Sequence, residues 1–192
     1  MIKDIVLNSR SYRSFDESRK ITKEELFELV NVARVCPSAM NRQPLKYRIV
    51  HSQSERETLL AQTKWAGLLK NIKLPPENKT PAGYIVVCCD TEICDNIDSA
   101  RFDAGIVSQT IMLVANEMGL GGCILGAFDK KVVSDILGID SKLVPIVILA
   151  LGKPCEVVTV CEVNEEGSVA YYRDENNVHF VPKRSLEDVI IK

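Results

Sequence analysis

The sequence has little net charge and no long apolar run, and each absence excludes a class of protein. Its 192 residues carry 24 basic and 26 acidic side chains, a formal net charge of −2, with no run of five or more basic residues. A nucleic-acid-binding surface is therefore not expected. Even the apolar stretch at 143–152 is about half of the roughly 20 residues that span a bilayer, so it predicts a buried strand.

Paired metal ligands and a secretion signal are also missing. The seven cysteines include no CxxC pair, and the only two histidines, His51 and His179, are far apart in the sequence. We therefore expect neither a metal site nor a histidine-based hydrolase. The odd number of cysteines indicates reduced thiols, and the first residues, with charges at Lys3 and Asp4, do not resemble a signal peptide. Both features predict a cytoplasmic protein.

The order of helical and strand patterns predicts one α+β domain over 1–192. Thr22 and Glu25 form a capping box that begins a helix over 22–36. One or two helical segments are predicted within 54–70, and further helices over 103–118 and 129–139. The strands, about four or five in all, include 46–51, 84–90 and 143–152. Apolar residues occupy most faces of 103–118, so this helix should be buried in the core or in a subunit interface. The polar segment 155–192 is an extension that completes the fold or a dimer.

Two basic pairs are candidate anion sites. Arg10 and Arg13 would share one helical face and, with Ser11, suit a phosphate or a carbonyl edge, although a solvated helix face is the alternative. Lys183 and Arg184 are either part of a solvated tail or a second phosphate-binding pair.

Two loops are candidate ligand contacts. PSAMNRQP (37–44) lies between prolines, and its Ser38, Asn41 and Gln43 could either bind a heterocycle edge or stabilise a tight turn. GLGGCILGAF (119–128) follows a predicted helix, which is the wrong order for a dinucleotide-binding fingerprint. It predicts a helix C-cap and then a strand that breaks at Gly126, where either a flat ligand approaches the backbone or the chain makes a simple turn.

Taken in order, RSYRSFDE, PSAMNRQP, MGLGGCILGAF and YYRDENNVHFVPKRSLEDVI resemble the motifs of the nitroreductase family of FMN-dependent oxidoreductases. The resemblance implies a three-layer α+β sandwich, with a central, mostly antiparallel sheet flanked by helices, in an intertwined homodimer. Each of two FMN sites would be built from both chains. It also implies an enzyme that uses NAD(P)H to reduce nitroaromatic, quinone or similar flat acceptors in two hydride steps through flavin N5, without a catalytic side chain.

The resemblance also assigns FMN contacts by position. The phosphate side would be bound by Arg10 and Ser11, together with Lys183 and Arg184, and the pyrimidine edge by Arg13. The partner subunit would contribute Pro37, Ser38, Ala39, Asn41 and Gln43. The flavin ring would lie, near N5, against the backbone of Leu125, Gly126 and Ala127. The family commonly has two consecutive arginines, and this chain has Ser9-Arg10, so the phosphate should depend more on Lys183 and Arg184. Some relatives have an acidic residue where Gly126 stands.

The sequence alone also leaves other interpretations open. Trp65 and the loop 71–83 would line the open side of the flavin, or Trp65 would pack in the core. The chain could be a flavin-binding redox sensor or storage protein without efficient turnover, a specialised dehalogenase-like branch of the same fold, or an α+β binding domain without flavin. No motif chooses between NADH and NADPH.

Overall fold

The computed structural model describes residues 1–69 and 72–191 of the chain. The helices are α1 (Ile2–Asn8), α2 (Lys23–Ala33), α3 (Gln53–Leu60), α4 (Ile97–Glu117), α5 (Lys130–Leu137) and α6 (Leu186–Val189), with a 3-10 turn at Ala39–Asn41. The strands are β1 (Leu45–Val50), β2 (Gly83–Asp90), β3 (Gly121–Leu125), β4 (Leu143–Gly152), β5 (Val158–Glu162), β6 (Tyr172–Arg173) and β7 (His179–Lys183). In this described part, no helix has both the length and the apolar character to cross a membrane.

The main sheet has the strand order β1-β2-β4-β3, and every neighbouring pair is antiparallel. All eight residues of β2 are buried because helices cover both faces of the sheet. Alternate side chains point to opposite faces, so Ile85 packs with α2 and α4 while Val86 packs with α3 and α5. This arrangement confirms the predicted three-layer α+β fold.

The local signals at helix ends are confirmed. The Thr22 hydroxyl accepts a hydrogen bond from the Glu25 amide at 3.1 Å, and the Glu25 carboxylate accepts one from the Thr22 amide at 2.8 Å. The helix ends at Ala33 rather than at 36, because the chain tightens into i→i−3 turns before Pro37. Gly119, with φ of 72°, ends α4 and leads into β3 as predicted.

The prediction of one or two helical segments within 54–70 is wrong beyond Leu60. Thr63 forms a β-bridge with Phe128, and the Lys64 amide donates to the Ala127 carbonyl at 3.1 Å. These bonds draw the segment onto the end of β3 instead of continuing α3. Lys70 itself lies outside the described residues.

Within one chain, α4 is buried along one side, so the predicted burial in the core is met on that side, and burial of the other faces in a subunit interface stays a prediction. Its buried side includes Ile111 and Ala115, but Phe102 is 74% exposed, and Gly105 and Gln109 are exposed as well. The helix also begins six residues earlier than predicted, because Asn96 caps it by accepting hydrogen bonds from the amides of two first-turn residues.

The predicted helical face that joins Arg10 and Arg13 does not exist. Helix α1 ends at Asn8, and Ser11 then forms a parallel bridge with Gly122. The Tyr12 amide donates to the Gly122 carbonyl at 2.9 Å. Because β3 is an edge strand, its outer backbone groups need partners, and the extended N-terminal segment supplies them.

The predicted count of four or five strands is wrong, since the described part has seven. The segment after residue 153 forms a second sheet in the order β5-β7-β6, in which β5 and β7 are parallel. The Tyr172 and Phe180 rings stack across this sheet with centroids 5.1 Å apart. These short strands were not predicted because the composition of the segment is polar. They fold back on the N-terminal segment.

Candidate functional site

The N-terminal segment places a guanidinium group against the C-terminal segment. Arg13 Nη1 donates to the Ser11 carbonyl at 3.1 Å and lies 3.3 Å from His179 Nε2. Its Cζ lies 5.3 Å from the centroid of the Tyr171 ring, within cation–π range. Tyr171 and His179 also contact each other, with ring centroids 5.3 Å apart. Side chains of the C-terminal segment therefore contact Arg13, which is half-buried.

The two arginines of this segment have unused donors. Arg10 Nη2 donates to the Val6 carbonyl at 2.6 Å. Within residues 1–69 and 72–191, however, the Nε atoms of both Arg10 and Arg13 are buried and have no hydrogen-bond partner. A buried, unpaired N–H group of a cation is energetically costly. An anion or a carbonyl edge bound here would supply the missing acceptors.

Glu156 fixes the backbone on which Arg13 stands. One carboxylate oxygen accepts hydrogen bonds from the amides of Arg13 and Ser14, the latter at 2.9 Å. The other oxygen pairs with Arg173, and Arg173 Nη1 donates to Asn177 Oδ1 at 3.0 Å. The C-terminal segment thus holds both the main chain and the side chain of Arg13.

His179 is buried between positive charges. Its side chain is 1% exposed, and its own amide donates to the Val157 carbonyl at 2.9 Å. Burial, with the positive charges of Arg13 and Arg173, lowers the pKa of His179 to about 4. The ring is therefore neutral at pH 7, and its Nε2 accepts the Arg13 hydrogen bond.

The end of β3 is open to a ligand. Leu125 is buried, whereas Gly126 and Ala127 are exposed, and a Cβ atom added to Gly126 would meet no atom of the described residues within 4 Å. The Ala127 carbonyl accepts a hydrogen bond from the Lys64 amide, and further along the same segment the Leu68 amide donates to the Tyr171 hydroxyl at 3.4 Å. This segment therefore connects the end of β3 to the residues around Arg13.

Trp65 lies in that connecting segment. It is partly buried against the core on the α3–α5 side of the sheet, and its indole nitrogen donates to the Thr63 hydroxyl at 2.8 Å. These contacts fit the core-packing alternative. Asn71, the first residue of the loop expected over the flavin, lies outside the described residues.

A cavity of about 360 Å³ adjoins Gly126 on the α4 side of the sheet. Ser108 and Ile124 line it, and so do the cations Arg101 and Lys130. Ser108 is buried, and its hydroxyl has no partner among the described residues. The cavity thus combines an apolar wall, an unused hydroxyl and two cations.

The loop at 37–43 is held by its own hydrogen bonds and by one to α4. The Ser38 hydroxyl accepts a hydrogen bond from the Gln43 amide at 3.0 Å, and the Ala39 amide donates to Asp103 of α4 at 3.1 Å. Asn41 and Gln43 have positive φ, of 54° and 51°, which is uncommon for residues other than glycine. The loop borders a concavity of about 180 Å³. Across the described part, no hydrogen bond joins it to the N-terminal segment or to Gly126.

Lys183 and Arg184 are exposed at the end of β7. Lys183 lies four residues after His179, so both point to the same side of the strand, about 13 Å apart along it. The ion pairs found among the described residues include neither Lys183 nor Arg184. Contacts among the described residues therefore join the N-terminal arginines, the end of β3 and the C-terminal segment, and include no hydrogen bond from the side chains of the 37–43 loop or of the basic pair to these groups.

Sequence reasoning missed four residues that shape this site: Glu156, Tyr171, Arg173 and His179. The last three fall within the C-terminal motif, but no spacing in the sequence indicated that they contact Arg13. Glu156 gave no signal at all. As for metal ligands, the described residues contain no group of three or more His, Cys, Asp or Glu side chains placed to hold an ion, and all seven cysteines are free.

Comparison with known proteins matches most of this chain to one family. Residues 6–76 and 95–153 match the model of the nitroreductase family. The Bacillus subtilis (strain 168) protein named "Putative NAD(P)H nitroreductase YdgI" is 24% identical over 184 residues, which cover 80% of this chain and 88% of that protein.

Two solved structures are also similar. An FMN-dependent nitroreductase of Clostridium difficile R20291 is 26% identical, with a TM-score of 0.63 over 79% of this chain and 87% of that one. A nitroreductase family protein of Streptococcus pneumoniae TIGR4 is 16% identical, with a TM-score of 0.69 over 100% of both chains. The C-terminal segment lies outside the ranges that match the family model.

Proposed function

The chain belongs to the nitroreductase family, and we propose that it is an FMN-dependent oxidoreductase that uses NAD(P)H to reduce nitroaromatic, quinone or similar flat acceptors. The proposal rests on the Nε atoms of Arg10 and Arg13, which are buried and have no hydrogen-bond partner among the described residues. FMN carries a phosphate and a pyrimidine edge of carbonyl oxygens, the acceptors that such donors require.

The rest of the site supports the same cofactor. The exposed backbone at Gly126 and Ala127 leaves room for a flat ring, and the 63–68 segment connects this backbone to the surroundings of Arg13. We assign Arg10 and Ser11 to the phosphate side and Arg13 to the pyrimidine edge. FMN, when bound, supplies hydride acceptance and donation at N5, a chemistry for which the protein needs no catalytic side chain.

Arg13 has a defined task in this assignment. Reduction places negative charge near N1 and O2 of the flavin, and a cation at that edge stabilises the charge. Arginine does so without titrating, because its pKa lies far above neutrality. Lys183 and Arg184 are assigned to the phosphate. Their charges would replace that of the first of the family's two consecutive arginines, a position that Ser9 occupies in this chain.

We further propose that the chain forms one cytoplasmic domain, completed by 155–192, and that two chains form a homodimer. The partner subunit would then supply Pro37, Ser38, Ala39, Asn41 and Gln43 to each site. Large apolar side chains lie exposed on α1, α4 and α6, among them Leu7, Phe102 and Leu186. A soluble monomer rarely exposes so many, and a partner would cover them. Within one chain, no hydrogen bond among the described residues joins the 37–43 loop to Arg13, which fits the same arrangement.

Visible spectroscopy tests the function. The protein is purified with added FMN and its absorbance is recorded, then recorded again after anaerobic NADH or NADPH, and finally after a nitroaromatic or a quinone. Bleaching followed by recovery of the flavin spectrum supports the proposal. Rapid bleaching without turnover would instead favour a redox sensor, and a colourless protein would contradict the cofactor assignment.

The site assignment is tested by FMN retention through gel filtration. Arg13→Ala and Arg184→Ala should each lose FMN, because each removes a cation assigned to the cofactor. Arg19→Ala is the control, since Arg19 pairs with Glu25 and has no assigned role. Full retention by both site variants would show that the assignment is wrong.

A further inference from the structure

We propose that His179 is a positioning residue: it holds the Arg13 guanidinium so that its Nε and Nη2 donors are available to the cofactor, and it thereby raises the reduction potential of the bound flavin. The inference rests on the proposed function. It assigns a role to the C-terminal segment, which lies outside the ranges that match the family model.

A count of donors on Arg13 leads to this proposal. A guanidinium has five N–H groups in a rigid plane. The two on Nη1 have acceptors at hand, the Ser11 carbonyl at 3.1 Å and His179 Nε2 at 3.3 Å. The Nε donor is buried without a partner among the described residues. His179 therefore occupies one end of the guanidinium and leaves the Nε–Nη2 edge for a planar acceptor.

The chemistry of His179 suits an acceptor role. Since Nε2 receives the Arg13 hydrogen bond, the ring proton must reside on Nδ1, which is buried without a partner in the described structure. A protonated ring would present a donor and a positive charge to Arg13. The neighbouring charges of Arg13 and Arg173, together with burial, disfavour that form.

His179 is itself immobilised, as a positioning residue must be. Its amide is bonded to Val157, its ring is buried, and the Tyr171 ring packs against it at a tilt of 50°. Tyr171 in turn lies against the Arg13 guanidinium. Since Glu156 binds the Arg13 amide, both ends of Arg13 are fixed by residues more than 140 positions away.

The position of Arg13 should affect the reduction potential of the flavin rather than folding. A guanidinium held against the pyrimidine edge favours the reduced, negatively charged flavin over the oxidised form. If His179 no longer restrains it, Arg13 is free to move toward solvent, and this preference weakens. The reduction potential of bound FMN therefore reports the positioning directly.

Two substitutions of similar size test the role. His179→Leu removes the acceptor, whereas His179→Gln places an amide oxygen near the position of Nε2. We expect His179→Leu to reduce the ratio of affinities for reduced and oxidised flavin about tenfold, a shift of about −30 mV for a two-electron couple. His179→Gln should restore most of the difference. His51→Gln, at the other histidine, is the control and should leave the potential unchanged.

The measurement is an anaerobic redox titration of bound FMN, with circular dichroism to confirm folding. Tyr171→Leu provides a second test if His179→Leu does not fold, because it removes the ring contact to Arg13 and should lower the potential in the same direction. A folded His179→Leu or Tyr171→Leu variant with the wild-type potential would overturn the inference alone. A wild-type protein that holds no FMN would overturn the proposed function, and this inference with it.

Discussion

The carboxylate of Glu156 and the guanidinium of Arg173 form an ion pair in which each side chain is only 4% exposed. The other oxygen of Glu156 accepts hydrogen bonds from the amides of Arg13 and Ser14, so both oxygens of this buried carboxylate have hydrogen-bond partners. A buried ion pair contributes little net stability compared with a well-packed apolar pair, but the loss of one partner leaves an uncompensated charge. The pair therefore fixes geometry at the junction of the two chain ends.

Replacing Glu156 should destabilise the fold strongly. We expect Glu156→Ala to lower the free energy of unfolding by about 3–5 kcal/mol, because Arg173 stays buried without its counter-ion and two amides lose their acceptor. Urea denaturation at pH 7 measures the change. Asp135→Ala, which breaks the exposed Lys131–Asp135 pair, is the control and should unfold like the wild type. Equal midpoints for all three proteins would contradict the prediction.

The stability of the protein should fall as the pH drops from 6.5 toward 4. The pKa of His179 is lowered to about 4 by burial, Arg13 and Arg173, whereas an unfolded histidine has a pKa near 6.5. Between these values the unfolded chain binds the extra proton, so acid favours unfolding by at most about 1.4 kcal/mol per pH unit. Urea unfolding at pH 7, 6 and 5 measures this slope. His179→Gln cannot titrate, and a slope of the same size in that variant would assign the effect to other groups.

Two neighbouring glycines should respond in opposite ways to alanine. A Cβ on Gly122 would lie 2.2 Å from the Ala150 carbonyl oxygen, so Gly122→Ala should cost at least about 1–3 kcal/mol of stability. A Cβ on Gly126 meets nothing within 4 Å, so Gly126→Ala should leave stability unchanged or slightly raised. Thermal unfolding of both variants compares them. Destabilisation by Gly126→Ala would show that this stretch is not open.

The homodimer assignment predicts complementation between defective chains. One chain carries Arg13→Ala, and the other carries Asn41→Gly and Gln43→Gly, which keep the positive φ of the loop while removing its side chains. Neither homodimer should hold FMN. Co-expressed chains should recover about one quarter of the wild-type FMN, because half of the dimers are mixed and each has one intact site. No recovery, or full binding by the loop variant alone, would contradict shared sites.

Short-range signals in the sequence correctly predicted much of the fold. The Thr22–Glu25 capping box, Gly119 at the end of α4 and the apolar strands β2 and β4 depend on contacts within a few residues or on the simple period of a strand. The motif order also predicted the family. The assignment of FMN contacts stays a prediction, because it was carried over by position.

Only the tertiary structure decided the conformation and surroundings of Arg13. Its spacing from Arg10 suggested a helical face, but pairing of Ser11 with the edge of β3 keeps the segment extended. Its partner His179 is 166 residues away, in a segment whose polar composition gave no sign of burial. The sequence by itself thus determined the layers and their helix ends, which local hydrogen bonds and periodic burial encode. The surroundings of Arg13 depend on contacts between the two ends of the chain, which no local pattern encodes.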